Sequence, residues 1–282
     1  PPPYAKEVDM STNNPCLTRF PDGFDQGRTA ICRAGEGAFD TGMDFFIVKA
    51  RAGEMVTSAT DVEDQRFECA WLLLDGTAVV SVRGDSKTIT RTSLFGQDPS
   101  CVHVPPGCPV QIKALADCEF ALFRAPCATD FPPVIFDATN MQESEERDRG
   151  RWDDQAYRIV RTIFDVRNRP DSSLVLGEVV NLPGRWSSYP PHHHHQPEIY
   201  HYRFSMPQGY GHSELGQDVF KVRQFDTVKI LDGDDHSQVA APGYGMYYIW
   251  VIRHLPGDRY TVPEFTAEHA WLRDVPFSGT LF

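Results

Sequence analysis

The sequence predicts an all-β protein built from two similar units, and three observations predict it. β-Branched and aromatic runs of five to nine residues recur along the chain, broken by Gly, Pro and Asp. Few stretches place apolar residues at helical spacing. Each half also repeats one order of parts: a strand pair, an xDG or xGD turn, a Pro/Gly-rich rim loop and a final apolar strand. Short strands at this regular spacing fit a sandwich or a jelly-roll barrel in each half.

In the first half the predicted strands are 43-MDFFIVKA-50, 68-ECAWLLLD-75, 77-TAVVSV-82, 101-CVHVP-105, 109-PVQIKAL-115 and 119-EFALFRA-125. Asp75-Gly76 and Arg83-Gly84-Asp85 are expected to close hairpins, and Pro105-Pro106-Gly107 to force a loop. In the second half they are 157-YRIVRTIFD-165, 174-LVLGEVVNL-182, 198-EIYHYRFS-205, 218-DVFKVRQ-224, 226-DTVKIL-231, 236-HSQVA-240 and 246-MYYIWVIRH-254. These runs give an N-terminal unit over 1–140, a charged connection over 141–156, a C-terminal unit over 157–255 and a Pro- and aromatic-rich tail over 256–282. The tail is expected to pack over one barrel or a neighbouring subunit.

The 282 residues and their 41% apolar content support a sizeable core. No run is long and apolar enough for a membrane span, and PPPYAKEVDM lacks the apolar centre of a signal peptide, so a soluble cytoplasmic protein is expected. Seven scattered cysteines without C-x-x-C spacing argue against a disulfide framework and a cysteine-bound zinc. A net charge of −12 without a basic cluster argues against nucleic acid as a partner. Strand edges and the aromatic tail suggest a homo-oligomer.

The chemistry concentrates in 189-YPPHHHHQPEIYHYRF-204. On a strand, residues i and i+2 share a face, so His192 and His194 can converge, and Glu198 follows at H-x-H-x3-E spacing. His236, opening a later strand after 232-DGDD-235, is the expected fourth ligand. Three imidazoles and a carboxylate suit a divalent ion such as zinc, manganese, iron, nickel or cobalt, with positions left open for substrate. His193 and His195 are expected to point away, and His201, His212 and His254 have no spacing argument. The first half holds a single histidine, His103, so no equivalent site is expected there.

H-x-H-x3-E with a distant His resembles the cupin superfamily, and two such units resemble a bicupin. The segments 178-EVVNLPGRWSSYPPHHHH-195, 198-EIYHYRF-204, 208-QGYGHSE-214 and 239-VAAPGYGMYYIWVIRH-254 resemble the 5-deoxyglucuronate isomerase family of bacterial inositol catabolism, related to the 4-deoxy-uronate ketol-isomerases. In the first half 70-AWLLLDGTAVVSV-82 and 103-HVPPGCPVQI-112 resemble that family's N-terminal cupin, and 269-HAWL-272 its tail. The resemblance places the family's ligands on His192, His194, Glu198 and His236. It departs from the family in one place, because only His195, Gln196 and Pro197 separate the H-x-H from Glu198.

The resemblance implies metal-assisted conversion of an aldose acid, 5-deoxy-D-glucuronate, to the ketose acid 5-dehydro-2-deoxy-D-gluconate, without a redox cofactor. A base must move a proton between neighbouring carbons. The candidates are a metal-bound hydroxide, Tyr200, Tyr202, Glu214, Tyr247 and Tyr248. Arg185 is the expected partner of the sugar carboxylate, with Trp186 and Tyr248 shaping the pocket. Two other classes remain in view: an iron-dependent cupin dioxygenase, and a non-catalytic sugar- or metal-binding cupin.

Overall fold

A computed structural model describes residues 14–37, 39–58, 65–231 and 233–275. PPPYAKEVDM, Asp232 of the loop before His236 and the end of the tail, 276–282, lie outside the described residues. The strands in chain order are β1 (Leu17–Thr18), β2 (Gly27–Cys32), β3 (Asp44–Ala50), β4 (Met55–Thr57), β5 (Phe67–Val82), β6 (Asp85–Arg91) and β7 (Cys101–Val104). Next come β8 (Val110–Ala114), β9 (Cys118–Pro126), β10 (Val134–Phe136), β11 (Glu145–Arg147), β12 (Arg158–Phe164), β13 (Leu174–Asn181) and β14 (Trp186–His193). The last seven are β15 (Glu198–Phe204), β16 (Tyr210–Leu215), β17 (Asp218–Arg223), β18 (Thr227–Ile230), β19 (His236–Ala240), β20 (Met246–Arg253) and β21 (Glu264–Phe265). Helical turns among the described residues are two short 3-10 segments, Trp152–Asp154 and Ala270–Asp274. No helix among them is long and apolar enough to cross a membrane.

The architecture is all-β, two cupin-type barrels set back to back. In the first barrel β5 is one long strand that serves both walls. Its first part pairs with β7 and β9, and its second with β6 and β8. This corrects the hairpin expected at Asp75-Gly76, which lies inside β5 at a register shift between Leu73 and Asp75. Gly76 has φ +96°, and a Cβ there would stand 2.1 Å from the Asp117 carbonyl oxygen, so only glycine fits this corner. Arg83-Gly84 does close a hairpin: Val82 pairs with Asp85 across it, and both turn residues have positive φ.

The second barrel has an inner sheet in the order β1-β18-β15-β20-β13-β12-β11 and an outer sheet in the order β17-β16-β19-β14-β21. Its interior is filled by Val179, Tyr200, Tyr202, Phe220, Val228 and Tyr248. The first barrel encloses Phe46, Trp71, Val80, Ile112 and Phe120. A third core lies between the barrels, where Phe45, Leu72 and Phe123 meet Leu176, Ile249 and Val251. The inner sheet is therefore covered on both faces, which is why β13 and β15 are buried at every position.

The division expected at residue 140 is crossed in two places. β1 forms an edge of the second barrel's inner sheet by pairing with β18. The connection 141–156 contributes β11, which pairs with β12 along the opposite edge. None of the seven cysteines is in a disulfide, and Cys16, Cys69, Cys101, Cys108 and Cys118 are buried.

Candidate metal centre

Three segments bring the polar side chains together at one end of the second barrel. β14 ends at His192 and His193, the turn after it holds His194, and β15 opens on Glu198. Beside β14 in the outer sheet, β19 opens on His236, which pairs directly with His192. β14 contains Pro190 and Pro191, which donate no backbone hydrogen bond, and its register against β19 shifts between Ser187 and His192. The prolines weaken the strand signal, which is why 186–193 is absent from the strands predicted from sequence.

His194, Glu198 and His236 each offer one ligand atom, all within 4.8 Å of one another, and all three residues are buried. The Glu198 Oε2 atom lies 3.1 Å from His194 Nε2 and 3.4 Å from His236 Nε2. His192 stands beside this trio without joining it, its ring 4.5 Å from the His236 ring between centroids. Each Nδ1 faces a backbone carbonyl: His192 that of Pro190 at 3.2 Å, His194 that of Gln196 at 2.7 Å, and His236 that of Asp234 at 3.0 Å. A carbonyl only accepts, so each Nδ1 holds a proton, and in the neutral ring the Nε2 lone pair is the one left for a ligand. His236 Nε2 is buried and has no hydrogen-bond partner among the described residues. Lone pairs and a carboxylate facing one another in a dry place repel unless a cation sits among them, and this donor set fits a divalent ion.

Packing keeps the His192 and His236 rings neutral. Burial, and then the neighbouring His236, pushes the His192 pKa well below its ordinary value, and burial likewise lowers that of His236. His193 and His195 turn to acids on the outside, Asp235 at 2.7 Å and Asp258 at 3.3 Å.

A cavity of about 630 Å³ opens beside the trio, lined among others by Ser188, Tyr200, Tyr248, Trp250 and Arg158. Tyr200 and Tyr248 project from the inner sheet, and Ser188 Oγ lies 3.3 and 3.4 Å from their hydroxyls. Burial pushes both phenol pKa values up, and for Tyr200 the Glu198 charge adds to it, so both stay protonated at neutral pH. Trp250 lies across Gly177, where a Cβ would stand 2.4 Å from its ring. The tail closes one side: β21 pairs with β14, Thr266 bonds the Pro191 carbonyl, and the Tyr260 ring lies 4.9 Å from that of His194.

Several expected site residues lie elsewhere. Tyr202 shares the Glu198 face but sits deeper, its hydroxyl donating to Ser213 at 3.2 Å, and it does not line the cavity. Glu214 pairs with Ser237 on the outer face of the outer sheet and accepts that hydroxyl, so alternation carries it away from the trio. Tyr247 faces the first barrel and donates to Glu178 at 2.7 Å. Arg185 donates to the Asp153 carbonyl, and Trp186 packs on Tyr189; neither lines the cavity. His103 is buried between the barrels, stacked on Phe164 and accepting from Arg169 at 2.9 Å. The reading missed Arg158, Trp250 and Tyr260. Period-two alternation in 158-RIVRTIF-164 and 246-MYYIWVIR-253 carries a signal for the first two; Tyr260 has none.

The profile of the KduI/IolB family matches residues 17–272. The chain belongs to the KduI/IolB family. Among curated relatives, a protein of Geobacillus kaustophilus named 5-deoxy-glucuronate isomerase is 27% identical over 213 residues, 70% of this chain and 74% of the relative. One of the same name from Lacticaseibacillus casei is 26% identical over 240 residues, 74% and 81% of the two chains. Among solved structures, an IolB-like protein of Salmonella typhimurium superposes with a TM-score of 0.74 at 22% identity, over 89% of this chain and 97% of the other. The oxalate decarboxylase of Lactobacillus farciminis gives 0.64 at 13% identity, over 95% and 93%, a likeness of fold alone.

Proposed function

We propose that this KduI/IolB-family protein is an aldose-ketose isomerase of sugar acids, converting 5-deoxy-D-glucuronate to 5-dehydro-2-deoxy-D-gluconate. One observation supports it above the rest: the His194, Glu198 and His236 side chains turn ligand atoms toward one another, and His194 and Glu198 line a 630 Å³ cavity, in a chain whose relatives are named 5-deoxy-glucuronate isomerase. His194, Glu198 and His236 would hold a divalent ion, with His192 beside them. Such an ion supplies Lewis-acid charge that lowers the cost of negative charge developing on the sugar's carbonyl and neighbouring hydroxyl.

The chain's own groups do the rest. The backbone carbonyls of Pro190, Gln196 and Asp234 fix the imidazole tautomers. Tyr200 and Tyr248 present protonated hydroxyls around Ser188 Oγ, where a proton can be held or passed between oxygens. Trp250 and the tail residues Tyr260 and Phe265 give the cavity apolar walls.

The test is proton NMR of 5-deoxyglucuronate with the purified protein in deuterated water. Growth of ketose signals with deuterium incorporation, stopped by His236→Ala, is the expected result; unchanged substrate refutes the reaction. Metal content and thermal unfolding test the site separately. Removing an ion held at 100 times its Kd takes away about 2.7 kcal/mol of stability. His236→Ala protein should show no such loss on treatment with a chelator.

A further inference from the structure

Five arginines line the cavity: Arg147, Arg151, Arg158, Arg167 and Arg273. Four lie at its rim. The side chains of Arg147, Arg151 and Arg167 are 44%, 39% and 61% exposed, and Arg273 lies on the surface over the Phe265 ring. Arg158 is different, with 5% of its surface exposed. It projects from β12 on the same face as Val160, which packs in the barrel interior, three strands from Glu198 in the sheet order.

One edge of its guanidinium is fixed. Nη1 donates to Asp148 Oδ2 at 2.7 Å and to the Ala156 carbonyl at 2.7 Å. Nε and Nη2 bond no side chain or backbone among the described residues, although the residue borders the cavity. Asp148 also takes Arg151 Nη1 at 3.3 Å, so this one carboxylate is shared between two guanidiniums. Unused donors of a buried cation are costly, and a carboxylate matches such a free edge in charge and in planar geometry. His192 and Tyr248 line the same cavity as Arg158. Trp250, laid over Gly177, gives the space between them a flat apolar wall.

We propose that Arg158 anchors the substrate carboxylate, so that the carbonyl end of the sugar acid lies at the His194–Glu198–His236 trio and neutral aldoses are discriminated against. This rests on the isomerase reading above and assigns to a buried residue the role that the sequence suggested for Arg185. It fixes the direction in which the substrate enters, carboxylate toward β12.

Two pairs of compounds test it on Arg158→Gln and Arg158→Lys proteins. The first pair is 5-deoxyglucuronate and 5-deoxyglucose, which differ only in the carboxylate. Arg158→Gln should lose about 100-fold in kcat/KM on the acid and less than about 3-fold on the neutral sugar, with Arg158→Lys between it and the parent. Equal losses on both sugars would mean that Arg158 only supports the fold and would overturn the anchor, as would full retention on the acid. The second pair is D-gluconate and sorbitol, measured by calorimetry, which needs no turnover. The parent protein should prefer gluconate by about 10-fold or more, and Arg158→Gln should bind both alike. If the parent isomerises neither sugar, the isomerase reading fails while the gluconate preference still decides on the anchor: its loss in Arg158→Gln upholds it, and its persistence or absence in the parent overturns it. Bound metal and the unfolding midpoint, measured on every variant, separate loss of the anchor from loss of the fold.

Discussion

Glu178 should carry more of the stability than any other single polar side chain between the barrels. Its carboxylate takes Arg91 Nη1 and Nη2 at 3.0 and 2.6 Å, Arg161 Nη1 at 2.9 Å and the Tyr247 hydroxyl at 2.7 Å. Both Glu178 and Arg91 have fully buried side chains. The other recorded partners of Arg91 are the carbonyls of Leu73 and Gln97, so Glu178 is the anion that balances it. Arg161 keeps the carbonyls of Leu94 and Phe95 and the rim carboxylate of Asp98. Glu178→Gln would therefore leave a buried guanidinium without counter-charge, at a cost of roughly 3–5 kcal/mol. Against a total of about 5–15 kcal/mol, that is a large fraction. Urea unfolding followed by circular dichroism reads it: with a slope near 3 kcal/mol per molar, the midpoint should fall by about 1–1.7 M. The double variant Arg91→Met with Glu178→Met should recover about 2 kcal/mol or more relative to Glu178→Met alone, because no charge is then stranded. A Glu178→Gln protein within about 1 kcal/mol of the parent would refute the reasoning.

Two further outcomes follow from the structure. Gly177→Ala puts a Cβ 2.4 Å from the Trp250 ring, so the ring must move into the cavity; a loss of about 1–3 kcal/mol and altered tryptophan fluorescence are expected, and an unchanged spectrum with unchanged kinetics would contradict the packing. His254 accepts from the Tyr260 amide, and burial, aided by Arg259 and opposed by Glu68 and Asp165, lowers its pKa from 6.5 to about 4. Below pH 6.5 the unfolded chain then takes up a proton that the folded chain refuses. The stabilisation is complete above pH 6.5 and is lost as pH falls toward 4, by about 3 kcal/mol, and His254→Gln should flatten that slope in unfolding midpoints taken from pH 4 to 7.

What the sequence made legible is what local pattern encodes. Strand periodicity places Glu198, Tyr200 and Tyr202 on one face of β15, and the H-x-H-x3-E spacing brings His194 and Glu198 to 3.1 Å. The illegible parts depend on partners far away in the chain. Gly76 reads as a turn residue, yet the approach of Asp117 makes it a corner within one strand. Glu214 looked like a base until its pairing with Ser237 fixed the face it occupies. Arg158 is one arginine among several in a charged region, and only the fold of β11 and β12 withdraws it from water.

β1 reaches across the whole molecule, since Leu17 pairs with Val228, more than two hundred residues later. At typical ribosomal rates of 5–20 residues per second, roughly 10 to 40 s pass between the synthesis of the two partners. During that interval the first barrel can close on its own strands, while the interface face of Phe45, Leu72 and Phe123 waits uncovered. Production of this protein is therefore exposed to aggregation on the ribosome rather than after release, and slower synthesis lengthens that risk. Cutting the chain between the barrels would make the exposure permanent: the half with the His/Glu trio would lose an edge strand, its Arg91 counter-charge and the cover over Leu176, Ile249 and Val251. The smallest dependable unit for engineering is thus the pair of barrels together.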